Sequence, residues 1–265
     1  MKNIRIAAHM GCFGGNIPGN TKASAELALR SGADIIELDV TMSADGQLFV
    51  FHPQLEKRFL NQEIDIQTMS SKDIETLHFV NQQGAPTSHT ICRLQDMLAF
   101  LKDRCVINID KFGSHPAEIA QVVRDLHMQD QVIVKSPGSQ KHFDIIAEVA
   151  SYLPYIPVLF DTDEVSDYLN AHRGIRFEGV EAVWSQDDAE LAQDRYINKI
   201  HGMNKYIWVN AILYDDRCQL AGGHSDDVSL LESPAKGWGW LAHKQYDIIQ
   251  TDWPLHLGTY LKTLD

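Results

Sequence analysis

The chain has 265 residues, 44% of them apolar and 22% charged, with 17 Gly and 9 Pro. These are globular values, so disordered, collagen-like and mucin-like readings are excluded, and no apolar run reaches the roughly 18 residues of a membrane-spanning helix. With 23 Lys plus Arg against 36 Asp plus Glu, the formal net charge is −13, which argues against a duplex nucleic-acid binder and its basic face.

The four cysteines, Cys12, Cys92, Cys105 and Cys218, show no C-x-x-C spacing, so neither a zinc knuckle nor a disulfide framework is expected. The first residues, Met1 to His9, hold only a short apolar stretch and are not read as a signal peptide. Reduced thiols and a cytoplasmic location are therefore expected.

In chain order, β-rich runs at Ile4–His9, Ile35–Val40, Val106–Asp110, Val132–Lys135, Ile156–Phe160, Val180–Trp184, Tyr206–Asn210 and Ile248–Thr251 read as eight strands. Amphipathic stretches near Ala23–Ser31, Leu94–Leu101, Pro116–Leu126, His142–Tyr152, Ser166–Ala171, Asp187–Met203, Trp238–His243 and Leu255–Leu264 read as helices. Eight strand–helix units of about 33 residues predict a (β/α)8 TIM barrel of the α/β class. The whole chain, 1–265, is expected to form one domain. The runner-up, an open doubly wound sheet, would want a G-x-G-x-x-G turn that Gly11-Cys12-Phe13-Gly14-Gly15 does not supply.

Two connections exceed ordinary barrel loops. The first, about residues 41–105, opens with the Asp45-Gly46 turn of an expected β-hairpin and continues from Pro53 as a candidate lid. The second, a long loop after the seventh strand, runs from Ala211 to Tyr246.

A barrel builds its site at the C-terminal strand ends. Glu37 and Asp39 stand two apart on one strand and so share a face. For an isolated Glu-x-Asp, a salt bridge or a helix cap is the commoner reading. Asp110, ending the neighbouring strand, turns the reading to a hard divalent metal held by oxygen ligands, Mg2+ or Ca2+. His9 and His52, at strand ends beside these acids, are the candidate proton-transfer pair. His78, His89, His115, His127, His142, His172, His201 and His256 read as structural or surface residues; His224 and His243 are left unassigned. Trp208 and the loop His224–Asp227 are expected to shape a leaving-group pocket, Gln250 to face the barrel and Asp252 to close the eighth loop.

These residues resemble the glycerophosphodiester phosphodiesterases, with their His-Arg-Gly, Pro-Glu-Asn-Thr, Glu-x-Asp-Val, His-Asp and Thr-Asp-x-Pro motifs. The matching stretches are Ala8-His9-Met10-Gly11, Pro18-Gly19-Asn20-Thr21, Glu37-Leu38-Asp39-Val40, Phe51-His52-Pro53 and Thr251-Asp252-Trp253-Pro254. The resemblance implies a metal-dependent hydrolysis of a small-molecule phosphodiester to glycerol 3-phosphate and an alcohol. His9 and His52 would be acid and base, and Glu37, Asp39 and Asp110 the metal ligands. It also leaves open a cyclic phosphate product, as from the similar venom-type phospholipases D.

Four departures stand out: Met10 for Arg, Gly19 for Glu, Pro53 for Asp, and Phe112 where a Lys is usual, with Lys111 one place early. Lys111 would point outward on a regular strand, so a bend there, or Lys135 from the next strand, is expected to bring a cation to the phosphate. A non-catalytic binding barrel and a zinc amidohydrolase are the rivals. The first is opposed by the retained histidines and acids, the second by the lack of a His-x-His pair on strand one. The alcohol group is not set by the sequence; the acidic balance favours a soluble substrate, without stable membrane insertion.

Overall fold

The computed structural model describes residues 4–160 and 174–264. Its strands are β1 (Arg5–Ala8), β2 (Ile35–Met42), β3 (Leu48–Val50), β4 (His78–Val80), β5 (Pro86–Thr90), β6 (Cys92–Arg93), β7 (Val106–Asp110), β8 (Val132–Pro137), β9 (Tyr155–Leu159), β10 (Gly179–Ala182), β11 (Tyr206–Asn210) and β12 (Ile248–Thr251). Hydrogen bonding runs β1-β12-β11-β10-β9-β8-β7-β2, all parallel, and β2 returns to β1 through Ala7↔Ile35 and Ala8↔Ile36. The sheet therefore closes on itself, which rules out the open doubly wound alternative. No helix among the described residues is long and apolar enough to cross a membrane.

Strand β2 is buried on both faces over Ile35–Thr41, as a barrel strand covered outside by helices must be. One of those helices, Lys22–Arg30, starts at Thr21, whose side chain accepts from Ser24 N while the Ser24 hydroxyl takes the Thr21 N–H. Another, Pro116–Asp125, has Pro at its first turn, where the missing N–H costs nothing.

Several boundaries differ from expectation. The sixth strand ends at Ala182, and Trp184 makes only an isolated bridge to Ala221. The helix expected over Asp187–Met203 begins only at Asp194, because Ala189 and Gln193 are extended around a 3-10 turn at Glu190–Ala192. The stretch after β11 is more ordered than a plain loop: it holds the helix Asp226–Leu231, capped by Ser225, and the expected helix Trp238–His243. The helix expected at Ser166–Ala171 lies outside the described residues.

The insertion after β2 starts with the hairpin to β3 (Val40↔Val50, Met42↔Leu48). Beyond it, two short helices, Glu56–Leu60 and Ser71–Ile74, and the β4–β5 hairpin surround their own apolar cluster. Phe51, Leu60, Ile74 and Phe79 are among its members. Asp45 ties the hairpin turn to the second of these helices, accepting from Ser71 N and Ser71 Oγ at 2.8 Å each.

Inside the barrel, Ala7, Ile35, Ile133, Ile156, Trp208 and Ile248 form an apolar layer, with Val106 against it. Side chains two residues on point to the same face. One step toward the C-terminal ends, these strands therefore present His9, Glu37, Asn108, Lys135, Val158, Asn210 and Gln250. An oily plug thus supports a mostly polar floor.

Candidate active site

The polar floor opens into a cavity of about 830 Å³ at the C-terminal end of the barrel. His9, His52, Glu37, Asp39, Asp110, Lys111 and Lys135 all line it, so the structure gathers seven of the eight expected site residues around one space. The eighth, Trp208, is fully buried in the apolar layer beneath, its ring 3.1 Å from the Lys135 ammonium.

The acidic trio is set by strand register. Asp39 pairs across β2 and β7 with Asp110, and Glu37 with Asn108. One carboxylate oxygen each from Glu37, Asp39 and Asp110 lies within 4.8 Å of the others. The loop after β1 grips the first two. Met10 N donates to Glu37 Oε2 at 2.8 Å, Asn20 Nδ2 donates to Asp39 Oδ2 at 2.9 Å, and Asp39 N donates to Asn20 Oδ1 at 3.1 Å. The loop reaches them through left-handed backbone at Met10, Gly11 and Asn20. At Gly11, with φ +81°, a Cβ would sit 2.7 Å from the Ser24 carbonyl carbon, so both conformation and space require glycine.

These contacts leave Glu37 Oε1 and Asp39 Oδ1 without a hydrogen-bond donor among the described residues. The nitrogens nearest Asp39 Oδ1, His52 Nε2 and Lys111 Nζ, stand at 4.0 Å. Burial, reinforced by the Asp39 charge, lifts Glu37 to about 8. Burial and the Asp110 charge lift Asp39 as well. Asp110 goes the other way: burial opposes its charge, but the adjacent Lys111 outweighs this and holds it below the ordinary range. Three clustered carboxylates, two of them buried with an open oxygen and raised pKa, fit a hard divalent cation.

The two histidines are oriented differently. His9 Nδ1 lies 2.8 Å from Asp252 Oδ1. Burial alone would lower the His9 pKa, but the bond to Asp252 and the charges of Glu37, Asp252 and Asp39 raise it to about 9. His52 follows β3, and its Nδ1 lies 2.7 Å from the Pro53 carbonyl oxygen. A carbonyl only accepts, so Nδ1 carries the proton and a neutral His52 presents its Nε2 lone pair.

Strand β7 ends at Asp110, and Lys111 takes left-handed backbone at φ 59°. This bend turns its ammonium inward, 2.8 Å from Asp110 Oδ2. Lys135 is nearly inaccessible and ion-paired to Glu181 at 2.7 Å, and Asn210 Nδ2 donates to Glu181 Oε1 at 2.6 Å.

The stretch His224–Asp227 does not line the cavity; Leu213 and Tyr214 from the same connection do. His224 stacks on Trp240 at 3.8 Å and bonds Asp187, while Asp226 accepts from Trp238 Nε1, Thr251 Oγ1 and Asp252 N. Asp252, expected only to close a loop, is thus the partner of His9. Glu181 and Arg58 line the cavity without a sequence signal of their own, and His142, read as structural or surface, lines it too.

A family model described as a domain of unknown function matches residues 152–261. Over 173 residues the chain is 29% identical to a glycerophosphodiester phosphodiesterase of Bacillus altitudinis, covering 61% of this chain and 67% of that protein. In structure it is similar to a glycerophosphoryl diester phosphodiesterase of Parabacteroides distasonis, with a TM-score of 0.82 at 18% identity over 99% of this chain and 87% of the other. It is also similar to a phosphodiesterase of Oleispira antarctica in complex with its product sn-glycerol-3-phosphate. There the TM-score is 0.71 at 15% identity, over 97% and 96% of the two chains.

Proposed function

We propose that the chain is a divergent member of the glycerophosphodiester phosphodiesterase family, as its likeness to those proteins supports, and that it is a metal-dependent phosphoric diester hydrolase. Its substrate is a glycerophosphodiester-like small molecule, cleaved to a phosphomonoester, such as glycerol 3-phosphate, and an alcohol. The observation that carries this reading is the shared cavity: three carboxylates whose oxygens lie within 4.8 Å of one another, flanked by two histidines with different partners.

Glu37, Asp39 and Asp110 would hold the cation, Mg2+ or Ca2+. When bound, it supplies Lewis-acid stabilisation of charge developing on a phosphate oxygen. Lys111 lies at the open edge of the trio, where its ammonium neutralises a second phosphate oxygen. Lys135 contributes positive field from below while held by Glu181 over the Trp208 ring.

The histidine partners assign the proton transfers. A carboxylate stabilises an imidazolium far better than a carbonyl does. His9, bonded to Asp252, therefore holds a proton for the leaving alkoxide, and His52, bonded to a carbonyl, takes one from the attacking water.

The test is hydrolysis of a glycerophosphodiester by the metal-loaded protein and by His9→Ala and His52→Ala. Each variant is expected to lose at least about 100-fold in kcat, and chelation of the metal to abolish turnover. Unchanged kcat in either variant would overturn the two-histidine mechanism.

A further inference from the structure

The cavity changes character from floor to rim. All five carboxylates that line it, Glu37, Asp39, Asp110, Glu181 and Asp252, sit on the barrel strands or at their ends. Beyond them, alongside the polar Arg58, Ser114, Ser136 and His142, the lining carries six large apolar or aromatic side chains from two sides of the barrel. Phe13, Leu55 and Phe59 follow β1 and β3, whereas Phe160, Leu213 and Tyr214 follow β9 and β11.

The first wall is built rather than incidental. The Phe59 ring is held edge-on by Phe51 at 6.2 Å and by Phe79 at 6.4 Å, both anchored in the insertion's own core. Gly19 leaves room for its neighbours: a Cβ there would lie 3.0 Å from Met10 Cβ and 3.3 Å from Phe13 Cδ1. The two motif positions that would otherwise place Arg and Glu side by side thus carry a thioether and no side chain. On the second wall, Tyr214 is 68% exposed.

We propose that the leaving alcohol carries an apolar group, an alkyl chain or an aromatic ring, which lies on this collar while the phosphate sits on the floor. The inference rests on the phosphodiesterase reading of the site. Aromatic rings also attract quaternary ammonium groups, but here the rim charge is positive: Arg58 lines the cavity with its guanidinium 5.3 Å from the Phe59 ring centroid and no carboxylate paired to it among the described residues. That arrangement disfavours a cationic choline head and suits an uncharged apolar one.

The test compares kcat/KM of the Mg2+-loaded protein on four esters of glycerol 3-phosphate: ethyl, hexyl, benzyl and choline. Hexyl or benzyl ester is expected to exceed both ethyl and choline ester by about tenfold or more, through KM, the scale of a few methylenes in an apolar pocket. The ranking of hexyl against benzyl separates a chain from a ring. Tyr214→Ser, at an exposed position, is expected to bring the hexyl-to-ethyl ratio toward one. Equal values for ethyl and hexyl esters, or preference for choline, would overturn the apolar leaving group while the hydrolase reading stands. Absence of turnover on all four esters would overturn both.

Discussion

His9 Nδ1 and Asp252 Oδ1 lie 2.8 Å apart across 243 residues of sequence, joining the end of the first barrel strand to that of the last. Asp252 is itself held from behind, its N–H donating to Asp226 Oδ2 at 2.9 Å, while Asp226 Oδ1 takes Trp238 Nε1 and Thr251 Oγ1 at 2.7 Å each. Asp252→Asn keeps the shape of this contact and removes its charge, so the His9 imidazolium loses its principal support. We expect kcat to fall about 100-fold with KM little changed, and the limb of the pH–rate profile that reports the acid to move to lower pH. A kcat within twofold of the parent would show that the contact only orders the loop.

The acidic trio makes a prediction readable without substrate. Saturating Mg2+ or Ca2+, at about 100 times Kd, stabilises the fold by about 3 kcal/mol, or roughly 6 °C in melting temperature for a chain this size. Glu37→Gln is expected to act in two directions at once. It raises the melting temperature of the metal-free protein, by removing a carboxylate buried against Asp39, and it diminishes the shift on adding metal. A variant that is less stable without metal and keeps the full shift would place the cation elsewhere.

Acidity gives a separate handle on the same charges. Burial and Asp39 raise Glu37 from 4.5 to about 8, and the Asp252 bond and nearby carboxylates, overcoming burial, raise His9 from 6.5 to about 9. Glu37 therefore binds more protons in the folded than in the unfolded state between about pH 4.5 and 8, and His9 between about pH 6.5 and 9, a combined window of about pH 4.5 to 9. Stability of the metal-free protein must fall as pH rises through that window. Thermal melts in EDTA from pH 5 to pH 9 are expected to show a decline of several degrees attributable to these two groups, which Glu37→Gln reduces. A profile unaltered by that substitution would contradict the assignment.

Lys135 and Glu181 form a nearly solvent-free pair at 2.7 Å. Lys135→Met leaves Glu181 buried with only Asn210 as a donor, at a cost of about 3 kcal/mol. The double variant Lys135→Met with Glu181→Gln is expected to regain part of that loss in a denaturant titration. No recovery would indicate that the Lys135 charge answers mainly to Asp110 and Glu37.

Eight strands, and the gathering of His9, His52, Glu37, Asp39 and Asp110 in one cavity, were legible because they rest on local pattern: strand-length runs, and polar residues at strand ends. Glu37 and Asp39 share a face for that reason alone. What was not legible depended on closure. Asp252 meets His9 only because β12 pairs with β1 through Ala8↔Thr251. Trp208 reads like a pocket residue, yet it stands two residues before Asn210 on the inward face and so falls in the plug layer. The inward turn of Lys111 hangs on one left-handed residue. The collar depends on how the insertion folds on itself, and neither Phe59 nor Arg58 carries a local signal of that.

The most direct test of a metal-dependent, water-using phosphodiesterase is 31P NMR of a glycerophosphodiester incubated with the protein in 18O-labelled water, with Mg2+ or Ca2+ and with EDTA. The account predicts a phosphomonoester carrying one 18O on phosphorus in the metal samples and unchanged diester in EDTA. A cyclic phosphate, a phosphomonoester without label, or equal turnover in EDTA would contradict it.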